Sequence, residues 1–410
     1  MRMNRRSFLA GSGAAAWPRG ALAQSRAPTN EELKRAAAAP VIRLDGLAEP
    51  LVIESIELLK GEQDHFVHVR AKGGAEGIAV ANRPRPNYLH PIFNQLIAPF
   101  LIGKDARDWE RLMWELYRAQ SNYKLQGLAF WSPHAWAECA ILDLLGRVAG
   151  KSIGELLGGV IRKEIAVYVA SGRRDSTPEE EVEYLRRLLD ETGAKAVKFR
   201  VGGRMSRNAD AMPGRTEKLI PLARKALGDD IAIHADSNSS YDPPQAIRVG
   251  RMLEEINAVY FEEPCEFDDL WATKEVADAL TIPVAGGEQE SSEHRFRWMI
   301  ANRGVDIVQP DLLYHGGLVR SMRVARMAAL AHMPATVHIS GGFGFIYMLH
   351  FASVVRDIGP YQEYKREIER FAGWFDPPIK VVNAKITVPA GPGVGIKDIA
   401  AVIRGATRVA

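Results

Sequence analysis

Between residues 165 and 364, eight short apolar runs are separated by amphipathic helical stretches. The runs are IAVYVA (165–170), KAVKFR (195–200), IAIHAD (231–236), AVYFE (258–262), IPVAGG (282–287), DIVQPD (306–311), ATVHIS (335–340) and YQEY (361–364). Continuous apolar strands are what a parallel sheet covered on both faces requires, and the spacing is close to the roughly 30 residues of one βα unit. The pattern predicts an α/β fold built on a (β/α) barrel. With 410 residues, 47% of them hydrophobic, the chain is also long enough for a second domain.

The flanks have a different texture. Alternation in LVIESIELL and HFVHVRAKG, punctuated by Gly73 and Gly74, predicts an antiparallel meander. Helical periodicity follows in IFNQLIAPFL, WERLMWELYRA and HAWAECAILDLLGRVAG. We expect an α+β domain over 45–160, the barrel over 161–365, and a tail over 366–410 that folds back on the first domain.

The start, MRMNRRSFLAGSGAAAWPRGALAQ, has a basic beginning, a mildly apolar middle and an Ala-x-Ala end. Arg5 and Arg6 followed by Ser-Phe-Leu resemble a twin-arginine export signal. Residues 1–23 are expected to be a cleaved signal and 24–44 a linker, which places the mature chain in the periplasm or outside the cell. Losing residues 1–23 takes the formal charge from +3 to −1, so the basic balance says little about partners. No basic patch interleaved with aromatics suggests a nucleic-acid partner, and no later apolar run approaches the ~20 residues of a membrane span. A small-molecule substrate is expected. Cys139 and Cys265 stand in no CxxC or Cys/His cluster and are read as two buried free thiols.

In a barrel of this type the active groups gather where strands end. Asp236, Glu262 and Glu288 end or follow three consecutive runs at equal intervals of 26 residues, so three carboxylates are expected side by side on one rim. Any one of them alone reads as a solvated acid; together they repel unless a cation is present. All-oxygen ligands select Mg²⁺, Mn²⁺ or Ca²⁺ over Zn²⁺. Lys198 and Arg200 end the second run, two residues apart and therefore on one face. Asp311 ends the sixth run and His338 lies in the seventh, an arrangement in which a carboxylate orients an imidazole and raises its basicity. Glu363, in the eighth run, reads equally well as a buried ion-pair partner. The glycine pairs 286/287, 316/317 and 341/342 form no phosphate loop.

KFR, HADSN, YFEEP, GGE, QPDLLYHGG, VHIS and YQEY, in this order, resemble the mandelate racemase and muconate lactonising enzyme branch of the enolase superfamily over about residues 45–400. The resemblance implies an N-terminal α+β capping domain, a (β/α)₇β barrel, and Mg²⁺ held by Asp236, Glu262 and Glu288; the adjacent Glu263 matches a non-ligand acid. It further implies removal of the proton α to a carboxylate, with the metal and Lys198 offsetting the charge that develops. Glu363 resembles the acidic group that hydrogen-bonds the other carboxylate oxygen, and His338 with Asp311 resembles the base of the mandelate racemase subgroup. Asn238, in HADSN, is a further candidate for substrate contact, beside Lys198 and Glu363. Substrate choice in the family lies in capping-domain loops, here within 77–92, where Arg83, Asn87, Tyr88 and His90 are polar. The resemblance also implies a homo-oligomer.

One departure shapes the expected reaction. Two-base members of the subgroup carry Lys where this chain has Arg200, and arginine keeps its proton at almost any pH. Racemisation needs a group on each face of the substrate, whereas elimination of water can use one histidine twice. The leading expectation is therefore a sugar-acid dehydratase giving a 2-keto-3-deoxy acid. A racemase, epimerase or lactone cycloisomerase is the alternative within the family, and a non-catalytic periplasmic sugar-acid binder the alternative outside enzymes.

Overall fold

The computed structural model describes residues 27–410; the expected signal, residues 1–23, lies outside them. Within the expected linker, Asn30–Ala38 form a helix closed by a capping box between Thr29 and Glu32. Its apolar side, Leu33 and Ala37, is buried, and it packs against the helix Leu318–Leu330.

Strands β1 (Ile53–Lys60), β2 (His65–Ala71) and β3 (Glu76–Val80) form the antiparallel meander, with Ile56 opposite Val69 and Val67 opposite Ala79. One face of this sheet packs on the helix Leu128–Ala149. Gly77 makes the approach possible, since a Cβ there would run into the backbone of Ala140 and Leu144. The helix is buried on all sides from Phe130 to Gly146, as expected for an element clamped between two layers. Its polar residues serve as ties. Asp143 accepts from the Ile78 and Val394 amides at 2.9 and 2.7 Å, and Glu138 accepts from Trp109 Nε1 and from the Val319 amide at 2.8 and 2.9 Å.

The second sheet is parallel and curls into the barrel. Its order is β10 (Gln362–Tyr364), β4 (Glu164–Ala170), β5 (Ala196–Arg200), β6 (Ala232–Asp236), β7 (Tyr260–Glu262), β8 (Val284–Gly286) and β9 (Ile307–Val308). Residue pairs such as Lys198 with His234, and Glu363 with Tyr168, set the register. The connecting helices start on side-chain caps, Thr177, Asp242, Asp269 and Ser292 among them.

The run 335–340 does not form a continuous strand. It joins the run before it at two parallel bridges, Val308 with Ala335 and Asp311 with His338. Pro310 has no N–H to give to the ladder, so the pairing is broken between them.

The tail returns to the first domain, where Asp143 accepts from the Val394 amide and Arg147 donates to the Ile396 carbonyl, and one of its strands also joins the barrel. β11 (Lys385–Thr387) pairs antiparallel with β4 of the barrel, and only the last strand, β12 (Thr407–Arg408), joins β1 of the meander. A strand signal gives no partner, and the tail has edges within reach on both layers. Cys139 and Cys265 are free and buried.

Candidate active site

The register of the barrel puts the ends of three strands in one layer, Arg200 beside Asp236 and Asp236 beside Glu262. Glu288 joins them two residues beyond β8, after a turn at Gly287 with φ +116°, where a Cβ would strike the Phe296 ring. One carboxylate oxygen from each of Asp236, Glu262 and Glu288 lies within 4.8 Å of the other two. Their exposures are 0, 0 and 3%.

Three buried anions this close are costly without a counter-ion. Asp236 Oδ2 and Glu288 Oε2 are buried and accept no hydrogen bond. The all-oxygen donor set, with two oxygens that accept no hydrogen bond, fits a hard divalent cation, as Mg²⁺ is, better than Zn²⁺.

Two cations from β5 lean into the same space. Lys198 Nζ donates to both oxygens of Glu262 at 3.0 and 2.9 Å and lies 3.6 Å from Asp236 Oδ2 and 3.5 Å from Glu363 Oε1. Burial opposes its charge, but Glu262 and Glu363 outweigh burial and raise its pKa above the ordinary lysine value. Arg200 Nη1 pairs with Asp236 Oδ2. One layer below, His234 stacks on Tyr260 at 4.3 Å and meets Tyr168 edge-on at 4.7 Å. Burial and the neighbouring Lys198 push its imidazole down to about 3, so it fills the barrel as a neutral ring.

Asp311 and His338 face this group from the other side. His338 Nδ1 donates to Asp311 Oδ2 at 2.8 Å, leaving Nε2 3.3 Å from Glu288 Oε2. Burial would lower the His338 pKa; Glu288, the Asp311 hydrogen bond and Glu363 reverse this and raise it. A base that is oriented at one nitrogen and free of a donor at the other can accept a proton.

Glu363 is fully buried, and both its oxygens lack a hydrogen bond. Burial alone would raise its pKa, but Lys198, Lys365, His338 and Arg200 hold it well below the usual carboxylate range. Glu263 behaves oppposite to Glu262. Burial, then Glu288 and Glu262, drive its pKa far up, whereas Lys198 and Arg200 bring Glu262 down against its burial. Geometry selects Glu262, whose carboxylate oxygen converges with those of Asp236 and Glu288. Asn238 is placed beside the trio with its side chain engaged: its Oδ1 accepts from Arg174 Nη2 at 2.8 Å, while its backbone N–H donates to Asp236 Oδ1 at 2.8 Å. It stands as a support for Asp236 rather than an open contact.

In the loop of the first domain, Arg83 is bound to Asp64 at 3.1 Å and His90 Nδ1 to the Pro86 carbonyl at 3.1 Å. Tyr88 OH accepts from Arg85 Nη1 at 2.6 Å. Asn87 is exposed, and its backbone N–H donates to the Pro84 carbonyl at 3.1 Å. Two side chains of this loop reach the barrel beside His338: Asn82 Nδ2 donates to Ser340 Oγ at 3.2 Å, and Arg85 Nη2 donates to Tyr314 OH at 2.7 Å. Tyr314 in turn lies with its ring 6.4 Å from that of His338. Neither carries a sequence signal of its own; Arg85 lies between two prolines, and Tyr314 is one of several residues in QPDLLYHGG.

Residues 48–158 match the mandelate racemase / muconate lactonizing enzyme N-terminal domain, and residues 180–398 the enolase C-terminal domain-like family. An arabinonate dehydratase of Saccharolobus solfataricus is 30% identical over 309 residues, 73% of this chain and 79% of that one. A D-galactarolactone cycloisomerase of Agrobacterium fabrum is 29% identical over 316 residues, 74% of this chain and 81% of its own length. The crystal structure of a mandelate racemase/muconate lactonizing protein from Paracoccus denitrificans, complexed with magnesium, superposes with a TM-score of 0.79 at 27% identity, covering 88% of this chain and 98% of that one. With both domain models matched and the barrel and meander in place, the chain belongs to the mandelate racemase/muconate lactonizing enzyme family of the enolase superfamily.

Proposed function

We propose that the protein removes the proton α to the carboxylate of an acid sugar and then eliminates the β-hydroxyl as water, leaving a 2-keto-3-deoxy acid. The observation that carries this reading is the asymmetry of the site, with a free imidazole nitrogen on one side and only Lys198 and Arg200 on the other. Asp236, Glu262 and Glu288 would hold Mg²⁺, which when bound supplies positive charge against the charge that builds on the substrate carboxylate.

His338 Nε2 takes the proton from C2 while Asp311 holds the opposite nitrogen. The electron pair left on C2 forms the C2–C3 double bond as the C3–O bond breaks, and the proton on Nε2 leaves with that oxygen as water. The enol so formed becomes the 2-keto acid. One nitrogen takes the proton and returns it, so both groups depart from the same face. Lys198, protonated and held by Glu262, offsets charge on the substrate carboxylate. Glu363, beside Lys198, would face the second oxygen of the substrate carboxylate. Arg200, an arginine where a second base would need a lysine, offers no base on the second face.

The arabinonate dehydratase among the relatives supports elimination. The galactarolactone cycloisomerase supports a second reading, in which the same base serves a lactone. The test is to offer a panel of aldonates and aldarates with Mg²⁺ and assay 2-keto acid. Formation from at least one is expected, and none from any would contradict the reading. We also propose that residues 1–23 direct export before the enzyme acts; an Arg5→Lys, Arg6→Lys chain should stay in the cytoplasm on fractionation, and unchanged export would refute this.

A further inference from the structure

Arg85 is the one capping-domain cation that touches the barrel beside His338, and its bonding is unusual for its setting. Its Nη1 and Nη2 donate to the phenol oxygens of Tyr88 and Tyr314 at 2.6 and 2.7 Å. Its Cζ lies 5.2 Å from the Tyr314 ring centroid and 5.9 Å from that of Tyr88. Nε is buried and has no partner. No carboxylate among the described residues pairs with it, whereas its neighbours Arg83 and Arg370 both end on Asp64, at 3.1 and 2.6 Å.

A half-buried guanidinium held against two aromatic rings, with its Nε unpartnered and no counter-anion, is built to receive an anion. Its place fixes which one. The 5.2 Å from Arg85 to the Tyr314 ring and the 6.4 Å from that ring to His338 bound its distance from the base. The end of the substrate near the trio already has Lys198 for its carboxylate. Arg85 belongs to the other end of the chain of carbons.

We propose that Arg85 binds a second carboxylate at the far end of the substrate, so that the acid sugars this site prefers are diacids. The inference rests on the reading of the site as one for acid sugars. Tyr314 is a positioning residue in it: its hydroxyl holds the guanidinium, and its backbone N–H, bonded to Asp311 Oδ1 at 3.0 Å, ties that hold to the base. A single charge-assisted contact of this kind is worth ~10- to 100-fold in affinity.

The test is equilibrium binding by calorimetry, in Mg²⁺, of aldarates and aldonates matched in configuration, on the full chain carrying His338→Asn so that no turnover intrudes, with Arg85 in place and with Arg85→Gln or Arg85→Lys added. At least one aldarate is expected to bind ~10-fold or more tightly than its matched aldonate, with that preference lost in Arg85→Gln and partly kept in Arg85→Lys. Aldonate affinity should change little in either variant, which separates loss of a contact from a damaged fold. No aldarate preference with Arg85 in place, or a preference that survives Arg85→Gln, would overturn the proposal. Because binding is read, failure to form any 2-keto acid would count against the dehydratase reading alone.

Discussion

His338 Nδ1 donates to Asp311 Oδ2 across 2.8 Å, and the backbone N–H groups of Leu313 and Tyr314 hold Asp311 Oδ1 at 2.8 and 3.0 Å. The carboxylate is thus fixed by the turn that follows it, and it fixes the ring. The two residues are also joined by a parallel bridge, so the pairing is a property of the barrel and not of a mobile loop.

Removing the Asp311 charge should lower the pKa of His338, since that hydrogen bond is one of the forces raising it. A base works when unprotonated, so activity rises with pH through its pKa. In Asp311→Asn the acidic limb of the pH–rate profile should move to lower pH, with kcat reduced by ~10²-fold from lost orientation and basicity. An acidic limb that stays in place would separate Asp311 from the titration of the base.

Asp236→Asn, Glu262→Gln and Glu288→Gln should each weaken Mg²⁺ binding, read by calorimetry, because each removes one of three converging buried oxygens. In the wild type, Mg²⁺ at about 100 times its dissociation constant should stabilise the fold by ~2.7 kcal/mol. That gain should shrink in all three variants. Glu263→Gln, which leaves the three converging oxygens in place, should keep it.

Arg200→Lys puts a group that can lose its proton on the second face. The variant should epimerise the α-carbon of a substrate that the wild type is proposed only to dehydrate, visible by chiral chromatography of recovered acid. Recovered acid without the epimer would mean that the residue at 200 does not decide the outcome.

The buried Glu138 offers a prediction about stability. Its pKa rises to about 7 from the ordinary 4.5, chiefly through burial, against the hydrogen bonds from Trp109 and Val319. Between these values the folded protein keeps a proton that the unfolded chain has lost, so stability falls as pH rises through this window. The slope from this one group is ~1 kcal/mol per pH unit. In Glu138→Gln, chemical denaturation at pH 5 and pH 7 should show a smaller loss between the two; an equal loss would remove Glu138 as its source.

The barrel and the trio were legible because a buried parallel strand must be apolar along its length, which leaves its end conspicuous when it is charged. Asp236 and Glu262 stand out in this way. Asp311 and His338 were legible for the same reason, although the run carrying His338 makes only bridges. Partnership was not legible: nothing in KIT at 385–387 says that it joins β4 rather than the meander. Nor was the helix Asn30–Ala38, whose alanine-rich sequence reads as linker until a barrel helix is there to receive Leu33. Arg85 and Tyr314 were invisible because they lie 229 residues apart and meet only when the two domains are assembled.

The central claim is that His338 takes the α-proton of an acid sugar. Turnover of a cognate acid in D₂O with Mg²⁺, followed by NMR, should give a 2-keto-3-deoxy acid carrying solvent deuterium at C3, and His338→Asn should give no product while still binding Mg²⁺ and keeping its fold. Product formation by His338→Asn at the wild-type rate would contradict the account.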